Sequence, residues 1–442
     1  MTIQPGSRIE TKAHLRAVPD AGVATPARRE FAPPRFPPDL VGLGEQGRWL
    51  DRLARHEVAL VQAPPGYGKS AWCAALFAEA LDTGWRASWL SVDTDEGDGD
   101  VAALLAEALG TEIVTGDAPS SAIAAALAAH IDAEARPFLF ILDDADRLID
   151  PRALDILARL MRRPPTQLRL LLAGRMLPQI ATGDAEARGM LLSIGRPELR
   201  LADGDVQRFL GQAGVTLSAR DAGALNDFIE GWPAAMRLLA QHPDATARLA
   251  AAGDWSAIAE QVEPLIRSWI APLSAPQRAA LSRSAVASWI DPELYGLLSG
   301  GKDGAAIVRD LSVRGMLADR IGHGRGHRLH HALRAFLARA IGGAEAEQLH
   351  RIAARHFANR GMIADAIDQW LACGDVAEAA ALMSTIAMPM VAEGALDRLA
   401  DWLDRLPLAQ IVAVPELARA RMWLSLLRAE APDAVILPAG AE

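Results

Sequence analysis

The feature that most constrains this chain is the apolar run Glu57-Val-Ala-Leu-Val-Gln62, followed at once by Ala63-Pro-Pro-Gly-Tyr-Gly-Lys-Ser70 and an alanine-rich stretch. A short continuous apolar run bounded by turn residues reads as a strand buried on both faces. Gly66 and Gly68 supply the backbone freedom that a tight turn needs. From Ser70 onward the composition favours helix, because alanine loses no side-chain entropy there. Strand, glycine turn and helix in this order open an α/β unit, so the next residues should alternate in the same way.

They do. Ala87–Asp93, Phe138–Asp144 and Leu168–Gly174 read as further strands, and Glu198–Leu201 as a fifth. Gln46–Arg55, Val101–Leu109, Ser120–Glu134 and Pro151–Arg162 read as helices. Continuous apolar strands alternating with amphipathic helices predict a parallel sheet covered on both faces. After residue 204 the pattern is almost wholly helical: Asp205–Ala213, Ser218–Glu230, Pro233–Ala240, Gln261–Leu273 and Ala275–Ala287. Met316–Asp319 and His327–His330 are expected to form a small β-wing after the helix Gly304–Arg314. Helices follow at Glu345–Asn359, Ile363–Ala372 and Val376–Ile386, then two more, in the rhythm of a helical-repeat array.

The glycine turn has the form of a phosphate-binding P-loop, with Ala63 in place of the usual first glycine. Glycines let successive backbone N–H groups turn inward round phosphate oxygens. The following helix points its positive end at the anion. On this reading Pro65, Gly66, Tyr67, Gly68, Lys69, Ser70 and Ala71 form the nucleotide cradle. Lys69 reaches the β- and γ-phosphates, and the Ser70 hydroxyl ligates Mg²⁺. The expected ligand is ATP or ADP with Mg²⁺. The apolar strand that ends in Asp143-Asp144 supplies the second element. Asp143 is placed to hold the metal's coordination shell and Asp144 to polarise an attacking water. The alternative is an acidic pair that caps the turn near Ala145. Arg175, directly after the fourth strand, is a candidate cation for the γ-phosphate, against the alternative of a solvated loop arginine.

Composition narrows the setting. The formal net charge is −10, and no Lys/Arg cluster forms the basic stripe that neutralising nucleic-acid phosphates requires, so direct DNA binding is not expected. The two cysteines, Cys73 and Cys373, lie far apart without metal-ligand spacing and read as free buried thiols. With no apolar N-terminal segment and no run of about 18 apolar residues, a cytoplasmic protein without a membrane span is expected.

Taken together and in order, these segments resemble the nucleotide-binding part of the MalT-like regulators. These are a branch of the STAND class of P-loop ATPases, usually linked to a LuxR-type DNA-binding domain. The resemblance is carried by Leu60–Ser70, by Trp89–Asp93 with Asp98-Gly-Asp100, and by Leu142–Pro151. Leu172–Pro178, Glu230-Gly-Trp-Pro233, His327–Leu337 and Leu349–Asp375 continue it. It runs over about residues 40 to 410. It implies that Pro233 lies near adenine and ribose, and that His330 contacts the β-phosphate of ADP and holds a closed resting state. The residues alone also permit a helix-start turn with a core aromatic at Trp232-Pro233, and a half-buried structural histidine at His330.

This sequence departs from the family pattern in places. Ala145-Asp146 stands where Tyr-His is common, which puts a third carboxylate near the metal and would slow or alter hydrolysis. Ser70 replaces a commoner threonine. Gly42-Leu-Gly44 fills the region of an adenine-contacting arginine, for which Arg48 is the nearest candidate.

The expected architecture is an α/β P-loop NTPase domain with a parallel five-stranded sheet, followed by an all-α helical domain, a winged-helix domain and the start of a helical-repeat arm. The boundaries read as a leader at 1–38, the NTPase domain at 39–203, the helical domain at 204–260, the winged-helix-like domain at 261–342 and the repeat segment at 343–442. The chain stops at Glu442 after two or three helix pairs and shows no LuxR-type recognition helix. The leading expectation is therefore the regulatory part of a LuxR/MalT-type regulator. It would be switched by ADP and ATP, act through an inducer or protein on the helical arm, and self-associate in a nucleotide-dependent way. A stand-alone ATPase and a degenerate nucleotide-binding interaction module are the alternatives.

Overall fold

The computed structural model describes residues 31–36, 46–92, 101–109, 118–175, 182–301, 304–321 and 326–427. Most of the expected leader, Gly42-Leu-Gly44, Asp98-Gly-Asp100 and the end of the Leu172–Pro178 segment lie outside the described residues.

Within these, the chain divides into two compact units, Met1–Leu265 with Val313–Gly315, and Ile266–Ser312 with Met316–Glu442. The first unit is built on a five-stranded sheet of β1 (Val58–Gln62), β2 (Arg86–Ser91), β3 (Phe138–Asp143), β4 (Leu168–Gly174) and β5 (Leu191–Ile194), in the order β2-β3-β4-β1-β5. All four pairings are parallel.

The central strands are buried on both faces, as their unbroken apolar runs require. Every residue of β3 is buried. One face joins Val58, Leu60, Phe140, Leu142, Leu170 and Leu172 to the helices Val101–Ala108, Ser120–Asp132 and Pro151–Arg162. Ala59, Val61, Leu139, Ile141 and Leu171 are equally buried on the other face. The start of the helix Pro151–Arg162 is fixed locally: Asp150 accepts hydrogen bonds from the Arg152 and Ala153 amides at 3.0 and 3.4 Å, and Pro151 follows it.

Two expectations fail here. The fifth strand is not Glu198–Leu201. It is Leu191–Ile194, and Arg196–Leu199 is a helical turn. The Leu-Arg-Leu alternation that suggests a strand is overruled by Pro197 in the first turn and by Glu198, whose carboxylate accepts from the Gly195 amide at 2.8 Å. Nor is Gln261–Leu273 one helix. It is divided between Trp255–Gln261 and Glu263–Ile270, with Pro264 starting the second piece where a proline is tolerated.

In the second unit, β6 (Leu317–Ile321) and β7 (Gly326–Leu329) pair antiparallel, as the wing reading predicts, and Ile290 adds a bridge to His327. Helices Pro292–Ser299 and His331–Ala338, absent from the sequence reading, complete this part. Gly343–Asn359, Ile363–Ala372 and Val376–Glu393 pack in succession, and Pro415–Leu427 packs on Val376–Glu393.

Val376–Glu393 has 18 residues and a mean hydropathy of 1.3, enough by length and composition to cross a membrane. In this fold Ala380, Met383 and Ala387 of that helix lie in an apolar cluster with Leu399, Trp402 and Leu417. No other helix among the described residues passes that test.

Candidate functional site

The strand order brings three chain ends to one edge of the sheet. β4 lies between β1 and β3, with Gln62 opposite Gly174 and Leu142 opposite Leu172. The glycine loop after β1, Arg175 after β4 and the acid pair after β3 therefore emerge side by side. This is the carboxyl edge of a parallel sheet, where such folds bind ligands.

The loop itself has the backbone a phosphate cradle requires. Gly66 and Gly68 have φ of +79° and +78°, and the helix Lys69–Asp82 begins directly after Gly68. Lys69 is buried, and its Nζ donates to the carbonyl oxygens of Ala63 and Pro64 at 2.8 and 3.2 Å. Burial pulls its ammonium below the ordinary lysine range. Arg175 adds to that effect, while Asp146, Asp144 and Asp143 oppose it. One electrostatic field thus couples the loop lysine to both other strand ends.

Asp143 is also buried. Its carboxylate accepts a hydrogen bond from Ser70, and its Oδ1 has no hydrogen-bond partner among the described residues. Burial pushes this carboxyl up, the Ser70 bond opposes the rise, and the neighbouring Asp144 adds to it. A buried acceptor of this kind beside a serine hydroxyl matches the hard-oxygen donor set of a divalent cation. With the glycine cradle, the residues fit a bound phosphate and its metal.

Asp144 takes a left-handed conformation, φ 52°, at the head of the 3₁₀ turn Ala145–Arg147. Its side chain makes no capping hydrogen bond, so the capping alternative does not account for it. Its Oδ2 stands 4.0 Å from Arg147 Nε. Asp146 accepts a hydrogen bond from the Arg175 backbone amide at 2.9 Å.

The underside of the loop holds contacts that no local motif reveals. Glu230 and Gly231 have φ of +53° and +68° and swing the chain into the helix Pro233–Leu239. The indole Nε1 of Trp232 donates to the Pro65 carbonyl at 2.9 Å, and the Ala234 amide donates to the Gly66 carbonyl at 3.1 Å. The Tyr67 and Trp232 rings stack at 6.3 Å. Arg196 lies over the Tyr67 ring and pairs with Glu230 at 3.3 Å. Burial raises the Tyr67 phenol above its ordinary range.

A β-carbon on Gly66 would stand 2.7 Å from both Ala234 Cβ and Trp232 Nε1, so a glycine is needed at that approach as well as for the turn. Trp232 is a buried core residue and Pro233 starts a helix, as the residues alone permit. Ala71 is buried in the first turn after the loop. His330 belongs to the second unit, where it is fully buried with its ring edge-on to Trp269 at 5.5 Å.

Comparison with known proteins agrees with this geometry. Residues 53–177 match the family model of the AAA domain, and residues 267–349 match that of the MalT winged helix domain. The chain is 25% identical over 398 residues to the HTH-type transcriptional regulator MalT of Yersinia enterocolitica, covering 85% of this chain and 44% of that protein. The same figures hold for MalT of Serratia proteamaculans. Among solved structures, a STAND protein with a tetratricopeptide repeat sensor from Pyrococcus horikoshii is similar at a TM-score of 0.38 and 13% identity, over 91% of this chain and 58% of that one.

Fold and loop together define a P-loop protein with an AAA domain, which implies nucleotide binding. The winged-helix match and the two relatives narrow this: the chain is similar to MalT-type regulators, in keeping with the resemblance read from its residues. The chain spans about 44% of the length of these curated relatives.

Proposed function

We propose that this chain is a nucleotide-dependent switch, the regulatory part of a MalT-type transcriptional regulator, with ATP and ADP as the ligands that set its state. The observation that carries the reading is the double tether of the loop, Trp232 to Pro65 and Ala234 to Gly66. A phosphate cradle whose back carbonyls are held by a helical segment cannot rearrange without moving that segment. Such a coupling would let a nucleotide that binds two loop arrangements unequally bias the position of that segment.

In this reading Lys69 and the loop amides hold the phosphates, Ser70 and Asp143 hold Mg²⁺, Asp144 orients a water and Arg175 reads the γ-phosphate. A bound Mg²⁺ would neutralise phosphate charge. Pro233 is proposed to lie near adenine and ribose, which both nucleotides share, and His330 to contact the β-phosphate of ADP and hold the resting state. The finer domain division at 39–203, 204–260, 261–342 and 343–442 belongs to the same proposal, as do a cytoplasmic setting and an inducer or partner protein acting on residues 343–442. A transcriptional output is part of the same proposal, because the MalT relatives are HTH-type transcriptional regulators.

Equilibrium binding of ADP and of a non-hydrolysable ATP analogue tests the reading. Binding with unequal affinities, lost in Lys69→Ala and biased away from ADP in His330→Ala, is expected. Equal affinity for both nucleotides, together with no change of size with either, would contradict the switch.

A further inference from the structure

The two backbone polar groups of Arg175 are both taken by side chains, one from β1 and one from the turn that follows β3. Its N–H donates to Asp146 Oδ1 at 2.9 Å, and its carbonyl accepts from Gln62 Nε2 at 3.4 Å. Gln62 is the last residue of β1, one position before the loop begins at Ala63. Asp146 lies in the 3₁₀ turn that follows the acid pair. β4, which delivers Arg175, runs between β1 and β3. The arginine's peptide is thus fixed from the phosphate-loop side and from the acid-pair side at once.

We propose that Asp146, with Gln62, is a positioning residue for Arg175, setting the direction in which this arginine leaves the sheet edge and hence how strongly the site distinguishes a nucleoside triphosphate from a diphosphate. The inference rests on the nucleotide-switch reading above. It gives Asp146 a different task from that of an extra carboxylate near the metal. A carboxylate that accepts a backbone N–H makes a charge-assisted bond, stronger and shorter than a neutral one. A backbone held in this way fixes the Cα–Cβ vector, and with it the reach of the side chain. Asp146 and Arg175 also act with opposite sign on Lys69, so the three groups share one electrostatic neighbourhood.

Isothermal calorimetry with ADP and with the ATP analogue, on the full chain, tests this through affinities and needs no turnover. Melting curves check that each variant folds. Asp146→Ala should lower the analogue-to-ADP affinity ratio by about tenfold, the size expected for one well-placed bond to a charged group. Asp146→Asn, which keeps an acceptor for the Arg175 N–H, should restore most of the ratio. Arg175→Ala should lower the ratio by as much as Asp146→Ala, and the double variant by no more than either alone, because residues that act as one unit are not additive.

An unchanged ratio in folded Asp146→Ala overturns the proposal. So does an equal change in Asp146→Ala and Asp146→Asn, which would mean that the carboxylate acts by its charge on the ligand. A wild-type protein that binds both nucleotides without discriminating also overturns it, since Arg175 then reads nothing. Failure of the wild type to bind either nucleotide is the separate failure of the nucleotide reading, and the positioning role falls with it. Should Asp146→Ala not fold, Gln62→Ala carries the same comparison, with a smaller loss of ratio expected and an unchanged ratio counting against the proposal.

Discussion

The indole N–H of Trp232 donates to the carbonyl oxygen of Pro65 at 2.9 Å, joining residues 167 positions apart in the chain. Trp232 is fully buried, and its ring stacks on Tyr67 of the same loop. Trp232→Phe keeps most of the apolar ring and removes the donor, leaving a carbonyl unsatisfied. A loss of about 1–3 kcal/mol in stability is expected. Nucleotide affinity should fall with it, because the cradle loses one of its two tethers. Denaturant melts with and without ADP check this. A variant that melts earlier yet binds ADP like the wild type would separate the tether from the site.

Gly231 precedes that tryptophan with φ +68°, and a β-carbon there would meet Arg200 Cβ at 2.7 Å and the Leu201 carbonyl at 2.8 Å. Gly231→Ala therefore carries both a backbone and a steric cost and should destabilise by clearly more than about 1 kcal/mol. Gly253, at φ +66°, has only the Trp255 Nε1 at 4.0 Å and isolates the backbone cost. If the two alanine variants lose equal stability, the close approach at Gly231 contributes nothing.

The Asp143 carboxyl is pushed up mainly by burial. A carboxyl whose folded pKa exceeds its unfolded value loses stability as pH rises through the folded pKa, and regains it as pH falls. Protonation also removes the charge that a divalent cation needs. The Mg²⁺-dependent part of nucleotide affinity should therefore decline on acidification, beginning above the ordinary aspartate range, while fold stability does not decline for this reason. Affinities with Mg²⁺ and with a chelator, followed from neutral pH down to the ordinary aspartate range, would show it. A Mg²⁺ effect that is flat over that range would count against Asp143 as the ligand.

Cys73 sits in the helix after the loop, fully buried, and burial holds its thiol well above the usual range. Thiol reagents should label it only at the rate at which the domain opens. Prompt labelling of Cys73 in native protein, seen by mass spectrometry of the labelled peptides, would contradict that placement.

How far the sequence could be read follows from how local each signal is. The loop was legible because its glycines, lysine and serine act within eight residues, and the acid pair was legible because it ends an unbroken apolar strand. The fifth strand was misplaced because Leu191–Ile194 is short and half-exposed, whereas Glu198–Leu201 carries a stronger alternation that Pro197 and the Glu198 carboxylate override. The Trp232 tether and the grip of Asp146 on Arg175 were out of reach. Each depends on strands and turns being brought together by the sheet order, and neither leaves a trace in spacing. The Asp146 carboxylate read from sequence as a third acid near a metal. Its observed bond to a backbone amide is a different use of the same charge.

The most direct test of the switch is size-exclusion chromatography with light scattering on the protein loaded first with ADP and then with a non-hydrolysable ATP analogue. A monomer is expected with ADP, and a larger species or an altered hydrodynamic size with the analogue, with no such change in Lys69→Ala. Identical mass and elution with both nucleotides, each shown to be bound, would contradict it.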